Sequence, residues 1–168
     1  ALQPADLDAV VAIDAAIELA EQTGPDVVIA NDPDADRCAA AVPGPGGWRM
    51  LRGDEVGALL GAHLLAKGSA AGVLPDSAEC VFANSIVSSR LLAAMCRAAG
   101  VRHEETLTGF KWISRVPGLR YGYEEALGYS VADVVRDKDG ISAALVFADL
   151  AGWCRSRGVT PWGYLEEI

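Results

Sequence analysis

Asp32, Asp34 and Asp36 stand at alternate positions in the run Asp32-Pro33-Asp34-Ala35-Asp36-Arg37. Like charges about 4 Å apart repel by roughly 4 kcal/mol at an effective dielectric near 20. Solvation relieves that repulsion if the side chains point outward, whereas convergence on one point requires a cation. A hard divalent ion with oxygen ligands suits such a set, and Mg²⁺ keeps coordination positions open for a substrate phosphate. Arg37, directly behind, offers a planar fork that offsets residual negative charge or holds a phosphate through two parallel bonds.

Other uses of the same acids leave different marks. An EF-hand also spaces its acids at loop positions one, three and five, but it needs Gly at six and Glu at twelve. Counted from Asp32, those positions hold Arg37 and Pro43, so an EF-hand is excluded. A phosphatase with Asp32 as nucleophile and Asp34 as acid/base fits an acidic loop after a strand as well. The plainest alternative is a polar turn with solvated acids, since Asp and Pro are both turn residues.

The elements that must position this loop are legible from periodicity. Leu7 to Glu21 carries an apolar helical stripe at Val10, Ile13, Ile17 and Ala20. Gly24-Pro25 ends that helix, and Val27-Val28-Ile29-Ala30 reads as a buried strand delivering the acids. Cys38 to Val42 returns as a second strand, Pro43 to Gly47 turns, and Trp48 to Leu51 pairs as a third. Those prolines remove N–H donors, so the Gly cluster is not a phosphate cradle. Gly53-Asp54-Glu55 opens a long helix with Asp54 as its expected N-cap and Val56, Leu59, Leu60 and Leu64 on its apolar face.

We place a domain boundary at Leu51 to Gly53, giving units 1–52 and 53–168. In the second unit, strand patterns at Cys80 to Ala83, Val101 to Glu105 and Leu119 to Tyr123 alternate with helical ones. Those helices are expected at Ser88 to Ala99, Gly109 to Arg115 and Asp139 to Cys154, with a last one opened by Thr160-Pro161. Such alternation predicts an α/β fold with mixed, partly parallel sheets and flanking helices.

Composition narrows the function classes. The chain has 168 residues, 51% of them hydrophobic, and a formal net charge of −9. With 14 basic residues and no basic run, nucleic-acid binding lacks an electrostatic footing. No apolar stretch is long enough to span a bilayer, so no membrane role is expected. Cys38, Cys80, Cys96 and Cys154 show no C-x-x-C spacing, which predicts buried thiols in a cytoplasmic protein rather than a zinc site. His63 and His103 sit in apolar or alternating runs and are expected to be structural.

Three further groups carry chemistry. Lys111 lies at the entry of a short helix between Phe110 and Trp112, where its stem covers apolar neighbours. Glu124-Glu125 follows a strand within Tyr-Gly-Tyr-Glu-Glu-Ala-Leu-Gly-Tyr, an aromatic and glycine setting that also suits sugar hydroxyls. Arg136-Asp137-Lys138-Asp139-Gly140 supplies a cap and charge where the long helix begins.

Taken in order, Asp32-Pro-Asp-Ala-Asp-Arg37, Gly53-Asp-Glu55, Thr108-Gly-Phe-Lys111, Glu124-Glu-Ala-Leu-Gly128 and Arg136-Asp-Lys-Asp-Gly140 closely resemble the α-D-phosphohexomutase superfamily. The likeness spans nearly the whole chain. It is strongest to the phosphopentomutase-like branch and the bacterial relatives often called phosphomannomutases. The resemblance implies four domains around one cleft, of which this chain corresponds to the end of the second and the third. It implies Asp32, Asp34 and Asp36 as Mg²⁺ ligands, with a phosphoserine from the first domain completing the set and Arg37 beside the phosphoryl group. Glu124, with Glu125 next to it, then binds sugar hydroxyls, and Lys111 stands near the reacting hydroxyl as general acid/base or electrostatic stabiliser.

Departures from the family pattern matter too. Ala126 stands where many members carry Ser, which weakens any statement about the sugar. Ala35 replaces a common Gly, a mild change provided its φ is negative. No Ser-His-Asn loop precedes Asp32 and no terminal phosphate-binding domain follows Ile168. The expectation is therefore a fragment of a Mg²⁺-dependent phosphosugar mutase acting on a sugar phosphate through a bisphosphate, inactive without the remaining domains. An aspartyl-nucleophile phosphatase and a non-catalytic sugar-phosphate or metal-binding module are the alternatives.

Overall fold

The computed structural model describes residues 4–71, 80–132 and 135–168, with side chains described for 13–68, 80–132 and 135–168. Val10, expected on the first helical stripe, lies outside the described side chains. Helix α1 (Pro4–Thr23) leads into a three-stranded antiparallel sheet of β1 (Val28–Asn31), β2 (Cys38–Gly44) and β3 (Gly47–Met50), in that spatial order. Strand β2 is central and buried from Cys38 to Val42. Its alternation sends Ala39 and Ala41 to Ile13 and Ala20 of α1, and Cys38, Ala40 and Val42 to the larger core.

Helix α2 (Gly53–Ala71) then crosses to a second sheet. This contains β4 (Val81–Ser85), β5 (Arg102–Thr106), β6 (Leu119–Glu124) and β7 (Gly128–Ser130), ordered β5-β4-β6-β7. Strand β4 pairs in parallel with β5 and β6, while β7 runs antiparallel to β6. The expected mixed, partly parallel α/β fold is what forms. Helices α3 (Leu91–Ala99), α4 (Phe110–Ile113), α5 (Gly140–Ser156) and α6 (Pro161–Glu167) complete the order. Among the described residues no helix is long and apolar enough to cross a membrane.

One large core joins the two sheets through α2 and α5. Gly57 and Gly61 of α2 make room for a row of buried tyrosine rings. A Cβ at Gly57 would lie 2.5 Å from Tyr123, and one at Gly61 would lie 3.1 Å from Tyr121. Tyr121, Tyr123 and Tyr129 stack at centroid spacings of 6.1 and 6.4 Å. Their hydroxyls donate to the Gly57 carbonyl, Asp54 Oδ1 and the Gly53 carbonyl, so the sheet is tied to the first turns of α2. All four cysteines are buried and free, and burial pushes the Cys38 thiol up to about 12. His63 is fully buried on α2 and bonds Asp149 at 2.7 Å, and His103 bonds Asn84 at 2.5 Å, the structural roles expected of them.

Two local expectations need correction. Asp54 is not the cap of α2: the helix already begins at Gly53, and the Asp54 carboxylate accepts from the Ser89 N–H and Tyr123 hydroxyl. Glu55 supplies the reach-back bond instead, accepting from the Arg52 N–H at 2.8 Å. Helix α3 starts at Leu91 rather than Ser88, because 86–89 turn after β4.

Candidate active site

The acidic loop joins β1 to β2 and is closed at its base by Asn31, whose Nδ2 donates to the Arg37 carbonyl at 2.7 Å. Inside it, the Ala35 N–H meets the Asp32 carbonyl at 2.9 Å and the Arg37 N–H meets Asp32 Oδ1 at 3.1 Å. These bonds turn the three acids to one side. One carboxylate oxygen from each of Asp32, Asp34 and Asp36 lies within 4.8 Å of the others. Ala35 has φ +58°, so the condition for a harmless Gly replacement is not met. A Cβ in the left-handed region costs roughly 1–2 kcal/mol.

The charges of the loop are only partly balanced. Burial pushes the Asp32 carboxyl up, and the adjoining Asp34 and Asp36 add to the rise against the Arg37 N–H bond. At Asp36 burial acts in the same upward sense but is outweighed by Lys138, and its carboxyl is held low. Lys138 Nζ sits 2.6 Å from Asp36 Oδ2. Arg37 Nε is 3.8 Å from both Asp32 Oδ2 and Asp36 Oδ1. Asp36 Oδ1 is buried without a hydrogen-bond partner.

These residues fit a small hard cation. The donors are all carboxylate oxygen, one has no hydrogen bond, and oxygens on octahedral Mg²⁺ stand about 2.9 Å apart when adjacent and about 4.2 Å when opposed. The three oxygens, within 4.8 Å of one another, reach those spacings by side-chain rotation that draws them inward.

The loop between β6 and β7 leans on the acidic one. The Cys38 N–H donates to the Leu127 carbonyl at 3.1 Å, and Arg37 bridges Gly128 in antiparallel fashion. Leu127, like Ala35, is left-handed, at φ +64°. Glu124 and Glu125 point to different tasks. Burial pushes the Glu124 carboxyl up, against the pull of nearby Lys138, a Gly109 N–H bond and Arg37. Glu125 instead faces the scaffold, where its Oε2 accepts from Ser85 Oγ at 2.7 Å and Ser88 Oγ at 2.9 Å. Gly53 packs so closely on the Glu125 carbonyl that a Cβ there would lie 1.9 Å from it.

Lys111 stands exposed on α4 with its amine 5.5 Å from the Trp112 ring centroid, and forms no ion pair among the described residues. Its helix is tied to the site through Gly109 (φ +104°), whose N–H meets Glu124. The structure thus brings Asp32, Asp34, Asp36 and Arg37 into one cluster and joins Glu124 to it through Lys138. It leaves Glu125 and Lys111 outside that cluster.

Four residues of the site were not among those expected: Asn31, Ser85, Ser88 and Lys138. Only Lys138 had a signal, inside Arg136-Asp-Lys-Asp-Gly140. Asp139 does cap α5, accepting from the Ile141 N–H at 3.1 Å. Gly140 presses on the acidic loop, where a Cβ would meet the Arg37 carbonyl oxygen at 2.3 Å. A cavity of about 720 Å³ bordered by Arg115, Ser130 and Arg136 lies apart from the acids.

Known proteins share the sequence and the fold of this chain. Residues 52–160 match the family described as phosphoglucomutase/phosphomannomutase, alpha/beta/alpha domain III. A probable phosphomannomutase of Haemophilus influenzae is 46% identical over 159 residues, covering 94% of this chain and 31% of that protein. The human phosphopentomutase is 39% identical over 163 residues, covering 89% of this chain and 26% of that protein. The chain therefore spans between about a quarter and a third of the length of these relatives.

Among solved structures, a phosphomannomutase from Thermus thermophilus superposes with TM-score 0.66 at 24% identity, over 84% of this chain and 30% of that one. The N-acetylphosphoglucosamine mutase of Aspergillus fumigatus, solved with GlcNAc-6P and magnesium, superposes with TM-score 0.61 at 15% identity, over 82% of this chain and 34% of that one. At those identities the likeness carries the fold. With the family match over residues 52–160 and a relative 46% identical over 94% of the chain, the chain belongs to the phosphoglucomutase/phosphomannomutase family of phosphosugar mutases.

Proposed function

We propose that this chain supplies the Mg²⁺ loop and the sugar-recognition loop of a cytoplasmic phosphosugar mutase. Residues 1–52 close one domain and 53–168 form the next. The observation that carries the reading is the convergence of Asp32, Asp34 and Asp36 oxygens within 4.8 Å, with Arg37 beside them and Glu124 reached through Lys138.

In the mutase a phosphoryl group passes from a serine outside this chain to the sugar phosphate. The resulting bisphosphate turns over and returns its other phosphoryl group to that serine, which regenerates the donor and releases the isomerised sugar phosphate. Asp32, Asp34 and Asp36 hold the Mg²⁺, which when bound supplies positive charge to phosphoryl oxygens. Arg37 offers its guanidinium to the same phosphate. Glu124, half-buried and braced by the Gly109 N–H, accepts from sugar hydroxyls. Glu125 fixes the loop that presents it. Lys111 delivers positive charge or a proton at the reacting hydroxyl from its exposed place on α4.

Manganese EPR titration of this chain tests the reading. We expect weak binding, since the serine phosphate supplies a missing ligand, and its loss in Asp34→Asn, whose exposed side chain leaves the fold intact. A silent titration rejects the metal loop. A phosphatase would instead accumulate a beryllofluoride adduct on Asp32. Isomerisation of a sugar 1-phosphate by this chain alone, with bisphosphate activator, would refute the requirement for further domains.

A further inference from the structure

We propose that Lys138 is an intrinsic competitor of the divalent cation: its ammonium neutralises Asp36 in the metal-free loop, leaves when the cation arrives, and carries its charge across to Glu124. This rests on the metal-loop reading above and adds a linkage between the two loops.

Three observations carry it. First, Lys138 Nζ is the close cation of the cluster, 2.6 Å from Asp36 Oδ2, with its side chain only 20% exposed. Arg37 stands off at 3.8 Å. Second, Lys138 takes one oxygen of Asp36 while the other, Oδ1, is buried with no hydrogen bond and only the distant Arg37 Nε, 3.8 Å away, for charge. An ion at Oδ1 would thus face an ammonium on the same carboxylate, a like-charge approach well inside a Debye length.

Third, the stem of Lys138 already runs between the loops. The position of a Cβ on Gly128 lies 3.1 Å from Lys138 Cδ and 3.2 and 3.5 Å from Glu124 Cγ and Oε1. Rotation about the last bonds of the lysine therefore moves Nζ from Asp36 towards Glu124 without a backbone change. Gly128, lacking a side chain, leaves that path open. The groups facing Nζ are Asp36 and Glu124, with Arg37 adjoining both.

A lysine that merely braced the fold would lower stability on removal and leave metal affinity unchanged or weaker. A competitor does the reverse. Manganese EPR titration of the chain, with circular dichroism as the fold control, separates the two. Lys138→Met and Lys138→Gln are expected to bind Mn²⁺ about tenfold more tightly than the unsubstituted chain (about 1.4 kcal/mol).

Lys138→Arg is expected to stay within about twofold. So is Lys67→Met, a loss of the same charge some 14 residues along α2 from Gly53, about 21 Å. A second measurement needs no variant. The Gly109 amide reports the Glu124 carboxylate, and its NMR resonance is expected to shift on adding Mg²⁺ to the unsubstituted chain but not to Lys138→Gln. Equal or weaker Mn²⁺ affinity in both neutral variants, or an unmoved Gly109 resonance at Mg²⁺ saturation, overturns the proposal. Absence of Mn²⁺ binding in every form overturns the metal reading itself, a result distinct from equal binding.

Discussion

Gly140→Ala is the sharpest test of how the long helix holds the acidic loop. The residue opens α5 with an ordinary negative φ, so alanine would normally be welcome and gain up to about 1 kcal/mol of helix preference. Its surroundings forbid it. A Cβ would lie 2.3 Å from the Arg37 carbonyl oxygen and 2.6 Å from Asn31 Nδ2, below the 3.0 Å floor for real Cβ contacts. Loop or helix must then retreat by roughly 0.7 Å, within a core where added methyl groups cost about 1–3 kcal/mol.

That retreat stretches the Gly140 N–H bond to the Ala35 carbonyl at 3.1 Å and the Asn31 bond to Arg37 at 2.7 Å. Each is worth about 1 kcal/mol net. The expected loss is about 2–4 kcal/mol in urea unfolding followed by circular dichroism. Mn²⁺ affinity should fall with it, because the displaced backbone carries Asp36 and Arg37. Stability within about 0.5 kcal/mol of the unsubstituted chain, with unchanged metal binding, would refute the packing argument.

Two further tests address the scaffold beneath the loops. Burial would raise the Glu55 carboxyl, but bonds from Arg49, the Arg52 N–H and the Arg52 side chain outweigh it and hold it below its ordinary 4.5. Its stabilising share is therefore full above about pH 4.5 and lost as the pH falls through the lower folded value. Because Arg49 and Arg52 are well exposed, Glu55→Gln should cost only about 1–2 kcal/mol at pH 7. The two unfolding curves should then converge as the pH falls progressively below 4.5; a constant gap would refute the assignment. Tyr129→Phe removes the buried 3.1 Å bond to the Gly53 carbonyl and should cost about 1 kcal/mol in the same urea assay, with no change showing that bond to be idle.

The parts of the site read from sequence were those with a local signature. An apolar run followed by acids at every second position can be recognised without knowing anything distant, and the three aspartates do converge. Lys138 lies 102 positions from Asp36, and no local pattern shows that a helix entry will be laid against a strand end. Strand β7 escaped because Gly128–Ser130 is three residues long and owes its register to β6 rather than to its own propensity. Glu125 shows why adjacent acids are hard to separate by sequence. Neighbouring residues on a turn diverge, so one meets the Ser85 and Ser88 hydroxyls while the other faces Lys138 and Gly109. Asp54 was misjudged for the same kind of reason, since its partners Ser89 and Tyr123 are supplied by tertiary contact.

The pressing of Gly53 on Glu125 and of Gly140 on Arg37 also decides what sort of motion this region can make. With each loop wedged against a helix start, neither can swing independently of the helix behind it. Any larger displacement of these loops must therefore carry α2 and α5 along with it.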